Sequence, residues 1–188
     1  AEVPGTSHFV VVDRRGNVVS MTTTVESLFG SQRFVAGFFL NNQLTDFSFR
    51  PVDARGEAIA NAVAPGKKPR SSMSPTIVFR DGAFEVAVGS PGGNAIIAYV
   101  TKTLVGMLDW GLSPQQAVDL PNVIARGPVV VETARIDAAI VRSLKGMGHV
   151  FGDGRGEGSG LHAVRVTRDG RLEGAADPRR EGRAIAIR

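Results

Sequence analysis

Asp81-Gly82 lies between two β-rich runs, residues 76–80 and 84–88, and this pairing constrains the fold more than any other feature of the chain. A two-residue Asp-Gly loop places both central residues in left-handed backbone and joins antiparallel neighbours with the twist of a sheet. A second hairpin signal opens the chain, where residues 7–13 and 18–25 flank Arg14-Arg15-Gly16-Asn17. A third lies near the end, where residues 161–167 and 172–175 flank Arg168-Asp169-Gly170. Helical spacing is confined to the stretch between them. Ile96, Ile97, Val100, Leu104, Met107 and Leu108 recur at helical intervals over residues 94–110, with Asn94 as the expected N-cap. A short helix is expected over residues 114–120 behind the cap Ser113, and another over 136–147, stopped by Gly148. Strands and helices are thus grouped rather than alternating. That order predicts an α+β fold with antiparallel sheets, not a doubly wound parallel sheet. Residues 45–75 carry Pro51, Pro65, Pro69 and Pro75 among several Gly and Ser, and read as one long loop region.

The 188 residues suffice for one domain or a large piece of one. With no cysteine, the chain has no disulfide framework, thiol nucleophile, iron–sulfur cluster or Cys-ligated zinc. His8, His149 and His162 are far apart and show no metal-ligand spacing, so no metal or cofactor is expected. The alternating Gly152, Gly154, Gly156, Gly158 and Gly160 follow no phosphate-binding fingerprint and read as a mobile loop before a strand. The net charge of +4 is spread along the chain. Its longest basic stretch, Lys67-Lys68-Pro69-Arg70, has no interleaved aromatics, which argues against a nucleic-acid groove. No run of about 18 apolar residues exists to span a membrane as a helix. The opening Ala-Glu-Val-Pro-Gly does not read as a signal peptide, although a longer precursor could carry one.

Chemistry concentrates in a few polar segments. Thr6-Ser7-His8 opens the first strand, and Thr22-Thr23-Thr24 lies opposite it in the hairpin. Asn41-Asn42-Gln43-Leu44-Thr45-Asp46-Phe47 is a dense polar run. Arg70-Ser71-Ser72-Met73-Ser74-Pro75 ends the long loop at a strand. Gly89-Ser90-Pro91-Gly92-Gly93 puts two glycines at a helix N-terminus, where free N–H groups and the helix dipole favour anions.

In this order, together with Asp13, Gly16-Asn17, Phe29-Gly30 and Gly174-Ala175-Ala176-Asp177-Pro178-Arg179, these segments resemble the small subunit of γ-glutamyltranspeptidases, which are N-terminal-nucleophile hydrolases. The resemblance covers essentially the whole chain. It implies an αββα sandwich of stacked antiparallel sheets, here its small-subunit portion. Residues 1–5 would then be a residual precursor segment, and residues 6–188 the catalytic small subunit.

The resemblance also implies roles. Thr6 would be the nucleophile, freed by autocatalytic cleavage of the Gly5–Thr6 bond. Its own α-amino group, with a reference pKa near ~8, would serve as base. Thr24 would orient the Thr6 hydroxyl. Gly92 and Gly93 would form the oxyanion hole, where one donor is typically worth about 3 kcal/mol. Glu26, Gln43 and Asp46 would hold the α-ammonium of a γ-glutamyl donor, and Ser71 and Ser72 its α-carboxylate. A large subunit from the same precursor would supply an Arg for that carboxylate, with glutathione as the expected donor. By resemblance the compartment is periplasmic or extracellular, and the residues leave a cytoplasmic location open. Between residues 48 and 70 the loop carries no aromatic except Phe49, so an accessible site that tolerates large acceptors is expected. Two other readings compete: a cephalosporin or amide acylase of the same superfamily, and an unprocessed, non-catalytic relative. Intact Thr6, Thr24, Asp46 and the glycine pair count against the last.

Overall fold

The computed structural model describes residues 5–153 and 158–187. Its contacts divide the chain into two compact units. Among the described residues, the first holds 5–6 and 23–72, and the second holds 7–22, 73–153 and 158–187. Of the expected precursor segment, only Gly5 falls within the described residues.

The second unit is built on the Asp-Gly hairpin. Strands β5 (Thr76–Arg80) and β6 (Ala83–Gly89) pair antiparallel, and Asp81 and Gly82 take φ of 52° and 80°, as a tight primed turn requires. β9 (His162–Val166) pairs antiparallel with β6, and β10 (Leu172–Ala176) with β9, giving a four-stranded sheet in the order β10-β9-β6-β5. The two faces of this sheet carry different layers.

One face meets helices α1 (Ile96–Leu108) and α2 (Pro114–Asp119). Val86, Val88, Ala163 and Ala175 on that face pack with Ile96, Tyr99, Val100, Met107, Ala117, Val118 and Leu161 into the core. Burying each large apolar side chain contributes roughly 1.5–3 kcal/mol, so this layer is the main source of the unit's stability. The α1 stripe has the expected spacing, but its start differs. A 3₁₀ turn, Gly93–Ala95, precedes the helix, and Ala95 rather than Asn94 occupies the cap position, without a side-chain bond. The reason is Gly92, whose carbonyl accepts the Ala95 N–H at 3.0 Å and tightens the chain before the helix begins. α2 begins as expected: Ser113 and Gln116 form a reciprocal capping box.

The other face of the sheet meets the hairpin of β1 (Thr6–Val12) and β2 (Val18–Thr24), whose open end belongs to the first unit. Gly89 and His162 lie on this face, and a Cβ at Gly89 would fall 2.2 Å from His8 Cε1. Ser20 Oγ donates to the Val88 carbonyl at 3.3 Å. On the hairpin's outer side Phe9, Val11, Val19 and Met21 are exposed. Within this unit the layers therefore run helix, sheet, sheet, in line with the expected α+β class.

β7 (Val123–Ala125) and β8 (Val129–Val131) form a short hairpin that the sequence pattern does not reveal. Three-residue strands beside Gly127-Pro128 are too brief to show alternation. α3 (Ala138–Gly146) starts at Asp137, whose side chain accepts from Ala139 N at 2.7 Å. It ends before Gly148, at φ 91°. Residues 154–157 of the alternating-glycine loop lie outside the described residues.

The first unit is mostly loop, as residues 45–75 lead one to expect. β3 (Phe34–Val35) and β4 (Phe38–Phe39) form a minimal hairpin, and a 3₁₀ turn spans Gln43–Asp46. The remainder carries two isolated bridges, Ser48 to Ala62 and Val52 to Ala58, and Phe47 is buried.

Candidate functional site

In the first unit, a connected polar chain starts at the open end of the β1–β2 hairpin. Thr6 and Thr24 lie across the ladder, and their hydroxyl oxygens are 2.9 Å apart. Gly5 extends the ladder by one residue: its N–H donates to the Glu26 carbonyl and its carbonyl accepts from Val25 N–H, both at 3.1 Å. Thr24 Oγ1 also accepts the Glu26 N–H at 2.8 Å. One hydroxyl thus links the Thr6 side chain to the backbone of Glu26.

Glu26 adopts φ 70°, left-handed backbone that costs an ordinary residue about 1–2 kcal/mol. That turn aims its carboxylate at two donors. Ser27 Oγ and Asn42 Nδ2 both reach Oε2, at 2.5 and 2.6 Å. Asn42 also accepts the Ser27 N–H through Oδ1 at 3.0 Å.

Gln43 and Asp46 share the 3₁₀ turn, and the Gln43 amide donates to the Asp46 carboxylate. Asn61 ties this turn to the end of the loop. Its Nδ2 donates to the Asp46 carbonyl at 2.6 Å, and its Oδ1 accepts the Arg70 N–H at 3.1 Å. The loop is thereby pinned just before Ser71, which is exposed, and Ser72, which is half-buried. Seven residues singled out from the sequence, Thr6, Thr24, Glu26, Gln43, Asp46, Ser71 and Ser72, therefore fall in one unit. The ties Asn42 and Asn61 were not legible, since an Asn in a polar loop carries no signal of what it bridges.

Gly92 and Gly93 belong to the second unit. Gly92 is buried at φ 140°, and a Cβ there would lie 2.5 Å from Tyr99 Cε2. Gly93, at φ 51°, opens the 3₁₀ turn ahead of α1. A cleft of about 990 Å³ runs beside this pair and is also lined by Tyr99, Asn122, Arg126 and Glu132.

The loop that carries the glycines is anchored by groups far along the chain. Ser90, fully buried, donates to its neighbour's carbonyl (Pro91 O, 2.5 Å) and accepts the Gly160 N–H at 3.1 Å. Next to Gly160, Ser159 Oγ donates to Asp177 Oδ2 at 2.6 Å, and Leu161 N–H donates to the same oxygen at 3.2 Å. Asn122 Nδ2 donates to Ser159 Oγ at 2.8 Å. Arg179 pairs with Asp177 Oδ1 at 3.0 Å and with Glu132 at 2.6 Å. Asp177 is 1% exposed, so its charge is tolerated only because these donors surround it.

His8 is buried on the same unit's inner face, with Nδ1 2.9 Å from Thr22 Oγ1. Burial first, and the neighbouring His162 second, push its pKa down to about 4, so it is neutral across the physiological range. No cluster of metal-ligating side chains occurs among the described residues.

A sequence profile of the gamma-glutamyltranspeptidase family matches residues 1–187. The chain belongs to the gamma-glutamyltranspeptidase family. The glutathione hydrolase proenzyme of Bacillus subtilis is 39% identical over 189 residues, spanning 97% of this chain and 31% of that protein. An acylase proenzyme of a Pseudomonas strain is 34% identical over 188 residues, 99% of this chain and 33% of that protein. Among solved structures, the gamma-glutamyltranspeptidase of Pseudomonas nitroreducens complexed with L-DON superposes with a TM-score of 0.82 at 34% identity, covering 96% of this chain and 99% of that one. The chain thus spans about a third of the length of the curated gamma-glutamyltranspeptidase relatives it matches, and nearly all of one chain of a solved family member.

Proposed function

We propose that this chain is the catalytic part of an enzyme that transfers γ-glutamyl groups to water or to an amine, through an ester on Thr6. The observation that carries the reading is the Thr6–Thr24 hydroxyl pair at 2.9 Å, linked through Glu26 to a set of carboxylate and amide groups in one unit.

Cleavage of the Gly5–Thr6 bond gives Thr6 a free amine. That amine takes the hydroxyl proton as Oγ1 attacks the donor's γ-carbonyl, and later returns it to the leaving amine. Thr24, with one lone pair engaged by Glu26 N–H, keeps its own proton to direct at Thr6 Oγ1 and so orients the nucleophile. The N–H groups of Gly92 and Gly93 stabilise the tetrahedral oxyanion. Glu26, Gln43 and Asp46 meet the donor's α-ammonium, and Ser71 and Ser72 its α-carboxylate. Glutathione is the expected donor.

The partner is a second, larger part of the same polypeptide, which brings an Arg to that carboxylate. The threefold length of the relatives supports this, as does the exposed apolar side of the β1–β2 hairpin. Phe49, 87% exposed, supports a site open to large acceptors. A second reading, an amide acylase, is favoured by the 34% identity to an acylase proenzyme.

The test is expression of the full-length protein, with mass spectrometry of the fragment ends and turnover of a chromogenic γ-glutamyl anilide. The reading expects a fragment that begins at Thr6, and loss of both cleavage and turnover in Thr6→Ala. Normal turnover by Thr6→Ala sinks the mechanism. Cleavage without γ-glutamyl turnover transfers the case to the acylase reading, and absence of cleavage to a non-catalytic relative.

A further inference from the structure

We propose that Asn42 and Ser27 are positioning residues that make the site select donors bearing an α-ammonium group, by holding one oxygen of Glu26 and presenting the other. The inference rests on the γ-glutamyl reading above.

The geometry is asymmetric. Both donors converge on Oε2 of Glu26, Ser27 Oγ at 2.5 Å and Asn42 Nδ2 at 2.6 Å, whereas Oε1 has no hydrogen bond to any described residue. Asn42 Nδ2 also donates to Ser27 Oγ at 2.9 Å, so the three side chains close a ring. Asn42 is itself fixed at its backbone, where its N–H donates to the Val25 carbonyl at 3.3 Å. Glu26 is fixed from the other side by Thr24, whose Oγ1 accepts its N–H at 2.8 Å.

A free glutamate samples several rotamers and adopts φ 70° only at a cost. Here the left-handed turn and the ring select one arrangement before any donor arrives. The connection to the nucleophile is short: Thr24 Oγ1 bonds both Thr6 Oγ1 and Glu26 N–H, so the recognised group and the attacking group share one anchor. The two donors also neutralise part of the charge on Oε2. This leaves Oε1 as the acceptor for a three-donor ammonium. A donor that lacks the ammonium gains nothing from this arrangement and must still desolvate the carboxylate.

The discriminating probes are γ-glutamyl-p-nitroanilide and glutaryl-p-nitroanilide. They share the acyl chain and leaving group and differ only in the α-ammonium. In the processed full-length enzyme, Asn42→Ala and Ser27→Ala should each raise KM for the γ-glutamyl anilide about tenfold, corresponding to roughly 1.4 kcal/mol. kcat for that donor should change less than about threefold, and the glutaryl parameters should not move. Ser27→Thr keeps the hydroxyl and should restore the wild-type ratio. Ser27→Ala is the readable variant where Asn42→Ala fails to fold. A fall of equal size on both anilides assigns the two residues a purely structural role and overturns the proposal, as does an unchanged γ-glutamyl KM. Wild-type protein that turns over neither anilide removes the functional reading and the proposal together. Wild-type turnover with unaltered selectivity in the variants removes the proposal alone.

Discussion

Replacing Gly92 with alanine separates two costs that the structure puts at one position. At φ 140° an L-residue is strained whatever surrounds it, typically by about 1–3 kcal/mol. The new methyl would also stand 2.5 Å from Cε2 and 2.8 Å from Cδ2 of the buried Tyr99, and overpacking of this kind costs about 1–3 kcal/mol more. Gly92→Ala is therefore expected to destabilise the protein by about 4 kcal/mol, read as a shift of the urea unfolding midpoint at constant slope. A double-mutant cycle with Tyr99→Leu isolates the steric part, because only the ring lies in the path of the methyl. The cycle should return a coupling of about 1–3 kcal/mol, with the backbone cost left over. An additive cycle, within about 0.5 kcal/mol, would refute the ring contact. A midpoint equal to wild type would refute the conformational argument as well.

Two further outcomes follow from the second unit. Asp177→Ala leaves Ser159, Leu161 N–H and Arg179 without their shared acceptor, and breaking such a buried pair costs about 3–5 kcal/mol; an unfolding midpoint within error of wild type would contradict the anchor. His8 supplies a pH dependence whose sign can be worked out. Its folded pKa, about 4, lies below the ordinary 6.5, so the unfolded chain binds the extra proton first. The contribution is complete above pH 6.5 and falls as pH drops towards 4, by roughly 3 kcal/mol in all. His8→Gln should flatten the stability profile in that window, and an unchanged profile would show that His8 is not responsible.

The hairpins were legible because their turns are chemically explicit: Asp81-Gly82 and Asp169-Gly170 leave few alternatives to antiparallel pairing. α2 was legible because Ser113 and Gln116 spell its cap. The start of α1 was not, since Asn94 is a good cap in isolation and only the conformation of Gly92 moves the helix start. The β7–β8 hairpin escaped because strands of three residues show no period. Of the candidate site, the residue types were legible and their connections were not. Thr6 and Thr24 follow from a hairpin register, but the Asn42 and Asn61 bridges depend on how a long loop folds back. Asp177 was visible only within the Gly174–Arg179 segment that contributes to the resemblance, because a buried acid and its donors lie far apart along the chain.

That separation has a consequence for when the glycine loop can take shape. Ser90 and Gly92 are made before the carboxylate that organises their support, which arrives only when Asp177 leaves the ribosome. Domains generally fold as units during synthesis, and this one lacks a central anchor until Asp177 has emerged. A nascent chain halted before Asp177 holds the sequence of the loop without that carboxylate, so the loop's assembly waits for the segment that carries it.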